Sequence, residues 1–215
     1  MEEKGEPGTE PPMNADIRMD PMNITPVTLE GRHVRLEPLV RAHHGALSEV
    51  GLEESIWRWT PSAVRTPEEM MAYMEQALEW QAQGSALPFA TVAKDSGRVV
   101  GSTRFGNIDR ANRRLEIGWT WIAKPWQRTA VNTEAKYLML RHAFEALRAV
   151  RVQLKTDARN EKSRQAILRL GAVEEGTLRK YQTRFDGYVR DTVIFSITAE
   201  EWPAVKTRLK DRLAR

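Results

Sequence analysis

Between Leu115 and Leu147 the apolar residues change period within one short stretch, and that change limits what the chain can become. Leu115, Ile117, Trp119 and Trp121 alternate with Glu116, Gly118 and Thr120, the period of a strand with one face turned to a core. Beyond Pro125, Ala135, Leu138, Met139, Ala143, Ala146 and Leu147 share a helical stripe. Only a short loop separates the two, so a strand feeds directly into a helix N-terminus. The unpaired amides and positive dipole end of such a helix favour a phosphate. On pattern alone, many junctions of this kind bind nothing.

The remaining segments carry equally local signals. Residues 28–38 read as a strand, with Val34 and Leu36 alternating with His33 and Arg35, and residues 40–52 as a helix. A second helix opens with Thr66 as cap, Pro67 at its first position and Glu68–Glu69 in its first turn, and stops at Gly84. Its stripe of Met70, Met71, Met74, Ala77 and Leu78 is a core face rather than a cofactor box. Strands at 89–93 and 98–108 flank the turn Lys94-Asp95-Ser96-Gly97. A strand at 151–158 precedes a helix capped by Asn160 and ended by Gly171. Strands at 173–185 and 188–197 are joined by Asp186-Gly187, and a last helix starts near Ala199. The order β-α-α-β-β-β-α-β-α-β-β-α places antiparallel hairpins around a central strand–helix–strand unit, a mixed α/β class.

Composition narrows the function. The 215 residues suit one domain over residues 27–215, behind a polar, Pro-rich leader at 1–26 that lacks apolar periodicity and is expected to be disordered. No run is long and apolar enough for a membrane span, and the leader has no apolar core of a signal peptide, so no membrane partner is expected. The absence of cysteine excludes disulfides and thiolate zinc sites and fits a reducing cytoplasm; four scattered histidines make no metal cluster. The net charge of +4 owes much to Lys206, Arg208, Lys210, Arg212 and Arg215, read as a solvated helix face. No groove-reading module or aromatic–basic interleaving points to nucleic acid.

The stretch from Leu115 to Ala135 resembles the signature of the GNAT acetyltransferase superfamily, and more closely its ribosomal-protein N-terminal (RimJ/RimL-like) branch. The matching residues are Glu116-Ile117-Gly118, Pro125-Trp126, Gln127, and Thr133-Glu134-Ala135; a second set is Asn160-Glu161-Lys162-Ser163, Leu170-Gly171-Ala172 and Glu175-Gly176. The resemblance spans residues 28–198. It implies a twisted, mostly antiparallel sheet of six to seven strands, with a splayed parallel pair at an acetyl-CoA site and helices on both faces. Coenzyme A would be held by the loop and helix start formed by Gln127, Arg128, Thr129, Ala130, Val131 and Asn132. A bulge at the end of the 115–122 strand would expose amides around Trp121, Ile122 and Ala123 to the thioester and pantetheine. Asn160 would hold the pantetheine arm, and Ser163 would protonate the departing thiolate. Two positions depart from the pattern: the family's glycine falls on Ala130, strained there if a positive φ is required, and its Gly/Ala falls on Asn132, which also suits a helix N-cap. Ile167 stands where many members carry a tyrosine.

The implied reaction passes acetyl from a thioester to a primary amine, which must first lose a proton. Glu116 is the candidate base, acting through water, because a carboxylate on an apolar strand needs a partner or a purpose; an ion pair with Arg104 or Arg114 explains it equally well. Ser163 equally reads as a first-turn residue bonding its own backbone. Trp57, Trp59, Trp119 and Tyr181 are candidates for an acceptor groove, against the alternative of plain core. The acceptor is an amine, either a protein or peptide N-terminus or a small molecule such as a polyamine, amino acid or aminoglycoside. A CoA-binding protein without catalysis is the competing reading. A homodimer fits the fold class, although no interface stripe demands it.

Overall fold

The computed structural model describes residues 22–214. In chain order the elements are β1 (Leu29–Glu30), β2 (Val34–Pro38), α1 (His44–Gly51), α2 (Glu54–Trp57), α3 (Pro67–Ala82), β3 (Leu87–Ala93), β4 (Arg98–Asp109) and β5 (Arg114–Ile122). There follow α4 (Ala130–Arg141), β6 (Arg151–Asp157), α5 (Glu161–Leu170), β7 (Val173–Thr183), β8 (Val189–Thr198) and α6 (Trp202–Leu213). One sheet contains all eight strands in the order β1-β2-β3-β4-β5-β6-β8-β7. Every neighbouring pair is antiparallel except β5 and β6.

The eighth strand arises because the segment expected as one strand at 28–38 folds back on itself. Most of the expected leader, 1–21, lies outside the described residues. Its last part does not hang free: Met22 is 2% exposed in the larger core and Ile24 packs against it. The long helix expected to reach Leu147 runs as α4 and then widens into a π-helical turn over His142–Ala146.

Two cores sit on opposite faces of the sheet. The larger joins Leu115, Ile117 and Val152 to Leu138 of α4 and Leu209 of α6. The smaller packs Leu47, Trp57, Met70, Met74 and Ala77 against Trp121. The methionine stripe of α3 is therefore core, as its spacing predicts. Strand β5 contributes to both cores, which strict alternation does not allow. Leu115 and Ile117 face the first core, but Trp121 faces the second, correcting the single-face reading of this strand. The cause is a bulge: Gly118 pairs with Arg104 and Trp121 with Ser102, so Trp119 and Thr120 together oppose Thr103. Trp119 adopts φ +49°, a left-handed conformation that costs a non-glycine residue about 1–3 kcal/mol. Its ring lies over Gly106, where a Cβ would come within 2.3 Å of the indole.

A single buried carboxylate ties α4 to the first hairpin. Glu134 accepts from the backbone amides of Arg32 at 2.8 Å, His33 at 2.6 Å and Val34 at 2.9 Å. The turn between β1 and β2 closes around this side chain so tightly that a Cβ on Gly31 would sit 2.4 Å from its carboxyl carbon. Thus the Glu of the Thr133-Glu134-Ala135 signature anchors the fold and sets the position of α4. Replacing it strands amides that the carboxylate satisfies, so Glu134→Ala is expected to lower unfolding free energy by about 3 kcal/mol. Urea denaturation followed by circular dichroism checks this.

Candidate active site

β5 and β6 hold together only at their starts. Their register pairs are Arg114 with Arg151, Leu115 with Val152 and Glu116 with Gln153, after which the strands part. The opening continues into a cleft of about 1060 Å³, floored by the inner edges of both strands and walled by α4 and α5 on one side and the Trp57–Ser62 segment on the other. Backbone amides and carbonyls along these edges lack a strand partner across the gap, and such groups require a ligand or water.

At the α4 end, the loop from Lys124 to Thr129 is locked by its own side chains. Gln127 donates to the Ile122 carbonyl at 2.8 Å and accepts from Lys162 at 2.6 Å, joining the end of β5 to α5. Thr129 is the N-cap of α4: its hydroxyl accepts from the amide of Val131 and donates to the carbonyl of Trp126. Asn132 is therefore not the cap; it lies within the first turn. The left-handed residue of the loop is Arg128, at φ +65°, and Ala130 sits in ordinary helix. The strain anticipated at Ala130 does not arise.

Gln127, Arg128, Thr129, Asn132, Trp121, Ile122, Asn160 and Ser163 all line the cleft, whereas Ala123, Ala130 and Val131 do not. Val131 is buried in the larger core. Asn160 caps α5, its side-chain oxygen accepting from the Ser163 amide at 3.1 Å, which leaves its N–H2 as the donor for a ligand. The amide oxygen of Asn132 is buried without a partner. Lys124, Arg128, Lys162, Arg169 and Arg212 add cationic side chains to this half. Arg212 belongs to the basic tail read as a solvated face; its position at the end of α6 brings it to the cleft instead. A capped helix N-terminus, unpaired strand edges and these cations fit a ligand with a pyrophosphate and an amide-bearing arm.

The other half centres on Glu116. The carboxylate is 2% exposed and meets Asn107 at 2.8 Å, Lys155 at 3.1 Å and Gln153 at 3.4 Å. Neither expected arginine pairs with it. Arg114 bonds Asp109, and Arg104 is enclosed by the rings of Tyr73, Trp80 and Trp119. Trp57, Trp59 and Trp119 line this half, but Trp57 is mainly core, wedged against Tyr73 and Trp121 with its indole donating to the Gly51 carbonyl. Tyr181 lies outside the cleft lining, 47% exposed on β7 beside Lys155.

A prominent member of the site carries no sequence signal. Lys136, one turn beyond Asn132, lines the cleft with only 6% of its surface exposed. Its ammonium reaches beneath the β5 bulge to the hydroxyls of Thr120 at 2.5 Å and Thr103 at 3.1 Å. Without a carboxylate, burial pushes its pKa down from 10.5 to about 7. Only the bulge turns Thr120 toward α4, so a strictly alternating strand offers no reason to pair these residues.

Comparison with known proteins accords with this geometry. The family model described as an acetyltransferase (GNAT) domain matches residues 33–173. The chain belongs to the GNAT acetyltransferase family. A GCN5-related N-acetyltransferase from Brucella melitensis superposes with a TM-score of 0.81 at 32% identity, covering 88% of this chain and 86% of that one. Mycobacterium smegmatis RimJ in complex with CoA-disulfide gives a TM-score of 0.73 at 27% identity, covering 83% and 88%. In sequence, the Bacillus subtilis protein YdaF, named as a ribosomal N-acetyltransferase, is 36% identical over 110 residues, which is 51% of this chain and 59% of YdaF. The Escherichia coli ribosomal protein uS5 alanine N-acetyltransferase is 26% identical over 137 residues, 63% of this chain and 70% of that protein. The matched stretch thus spans about three fifths to two thirds of the first curated relatives' length. The GNAT core carries the splayed β5–β6 pair and the α4 start described above.

Lys136 gives this GNAT domain a testable pH signature. Between about pH 7 and 10.5 the unfolded chain holds the lysine proton and the folded chain does not, so stability from this group rises with pH across that window. Lys136→Met removes that dependence. The variant's advantage over the parent is expected to be largest near neutral pH and to shrink by up to about 1.4 kcal/mol per pH unit toward alkaline conditions. Paired urea titrations at several pH values read the difference directly.

Proposed function

We propose that the protein is an acetyl-CoA-dependent N-acetyltransferase whose acceptor is a primary amine, with the amine of a protein or peptide N-terminus favoured over a small polyamine or aminoglycoside. The observation carrying this reading is the division of one cleft into two chemically different halves: a cationic helix start on one side, and Glu116 among tryptophans on the other. The relatives named as ribosomal-protein acetyltransferases support a peptide acceptor.

Arg128, the first-turn amides of α4 and Lys162 would hold the pyrophosphate, and Asn160 and the inner edge of β5 the pantetheine arm. Bound there, acetyl-CoA supplies an acetyl group activated as a thioester. The chain's own residues do the rest. Glu116, as the one carboxylate lining the cleft among the described residues, attracts the acceptor's ammonium and accepts its proton through water. Gln153, Asn107 and Lys155 fix its orientation. Ser163, which lines the cleft and whose hydroxyl has no hydrogen bond among the described residues, would supply a proton to the departing sulfur; Ile167 has none to give. The alternative of a CoA-binding protein without catalysis draws on Ala130, Asn132 and Ile167; the first of these loses weight, because Arg128 rather than Ala130 takes the left-handed turn.

Calorimetric titration of acetyl-CoA, followed by release of free thiol in the presence of amine-bearing peptides, tests the proposal. The chain has no cysteine, so the thiol assay carries no protein background. Micromolar binding and turnover are expected. Glu116→Gln is expected to lower turnover by about 10²-fold while leaving acetyl-CoA affinity within about twofold. Absence of binding at millimolar acetyl-CoA rules the function out.

A further inference from the structure

The acceptor half of the cleft holds a buried cation that the transfer reaction does not use. Arg190 on β8 is 3% exposed and lines the cleft. One of its terminal nitrogens donates to the Trp59 carbonyl at 3.1 Å, and its Nε has no partner. Among the described residues no carboxylate comes within ion-pair distance of it. Asp157 and Glu116 are near enough to favour its charge, but Asp157 is bound by Arg159 at 3.2 Å and Glu116 by Lys155 at 3.1 Å, while Arg184 opposes it. Across the β7–β8 register, Gln182 stands opposite Arg190 and also lines the cleft, its buried amide oxygen unpartnered. The fully buried hydroxyl of Thr192 next along β8 is unpartnered too. Buried polar atoms are ordinarily satisfied, and an uncompensated guanidinium is among the most costly to leave bare. Arg190 and Gln182 both line the cleft, where a polar partner can reach them, whereas Thr192 lies wholly beneath the surface.

The charge around it gives the sign. The guanidinium of Arg58 lies 5.0 Å from the centre of the Trp59 ring and that of Arg159 5.3 Å. Asp157 offsets Arg159 and Glu116 offsets Lys155, which leaves Arg58 and Arg190 in excess, so a strongly basic acceptor is disfavoured and an anionic group attracted. A guanidinium's parallel N–H donors match a carboxylate.

We propose that Arg190 is a carboxylate-binding subsite, and that the acceptor is an amine carrying a carboxylate close to it. This rests on the acetyl-transfer reading above, with the amine at Glu116 and the carboxylate at Arg190. The carboxylate can come from an acidic side chain in the first few residues of a peptide or from the α-carboxylate of a free amino acid.

Tryptophan fluorescence measures acceptor binding without catalysis, since Trp59 and Trp119 line the same half. The probes are two C-terminally amidated peptides, Ala-Asp-Ala-Ala and Ala-Asn-Ala-Ala, and, separately, free alanine against alaninamide. The peptide pair reports a side-chain carboxylate and the second pair an α-carboxylate. The acid-bearing member of at least one pair is expected to bind about tenfold more tightly. Arg190→Gln should bring that ratio close to one. Arg190→Lys, which keeps the charge and a donor for the Trp59 carbonyl, should retain part of it and serves as the test if the glutamine variant does not fold. Equal binding within both pairs, no binding by any probe, or variants that weaken both members alike overturn the subsite; the last result assigns Arg190 to clamping the Trp59 segment. Calorimetry with acetyl-CoA runs in parallel. Acetyl-CoA binding without acceptor discrimination removes only the subsite, and discrimination without acetyl-CoA binding removes only the acetyl-transfer reading.

Discussion

Everything in the site follows from two parallel strands that pair for three residues and then part. A parallel pair normally runs its ladder to the end. Here β5 and β6 leave each other after Glu116 and Gln153, so their inner edges face a gap with amides and carbonyls that no neighbouring strand takes up. Such an opening holds its shape only if the strands are fixed from outside. β6 is held by its full antiparallel pairing with β8, and β5 by β4. The bulge at Trp119 is part of the same device. It bends β5 away from β6, turns Trp121 into the second core, and sends Thr120 to meet Lys136.

Positioning of α4 depends on a residue with no chemical task. Glu134 binds three consecutive backbone amides of the first hairpin turn, and its helix brings Thr129, Asn132 and Lys136 to the cleft. Anchor and ligand-facing residues lie on different sides of one helix, so a signature motif spanning both mixes two kinds of constraint. Thr133-Glu134-Ala135 reads as a functional motif in sequence, yet the glutamate faces away from the cleft, Ala135 packs in the core and Thr133 reaches the lining.

The strands, the helix order and the caps at Thr66 and Asn160 were readable because they depend on local chemistry: period, turn residues and side-chain acceptors. The fold-back at Gly31 was not, since the turn is stabilised by a carboxylate about a hundred residues away. The bulge escaped for a related reason. An unbroken alternation from Leu115 to Trp121 is what a regular strand writes, and only Gly106 on the neighbouring strand makes room for Trp119 to break it. Of the site itself, Glu116, Gln127, Arg128, Asn160 and Ser163 came from motif positions. Lys136, Arg190 and Arg212 came from tertiary contact alone: each sits in a segment whose own pattern is that of ordinary core or surface.

Net charge was the least informative number and its distribution the most. The chain carries 33 basic against 29 acidic residues, a near balance that says little about ligands. In the cleft the balance is gone. Among the described residues nine cationic side chains line it, with Glu116 as the one carboxylate. Many of the described acids are paired on the surface, as Glu75 is with Arg41 and Glu145 with Lys206, where such pairs contribute little to stability. Their effect is to neutralise the outside and leave the uncompensated charge inside. A concave, partly dry wall focuses that charge on whatever enters. One carboxylate in such a field exerts a local attraction on an ammonium, while the field as a whole selects for anions. A cleft of that kind favours partners that carry both signs, and it explains why the lone acid is held by Asn107 and Gln153 as well as by its ion pair with Lys155.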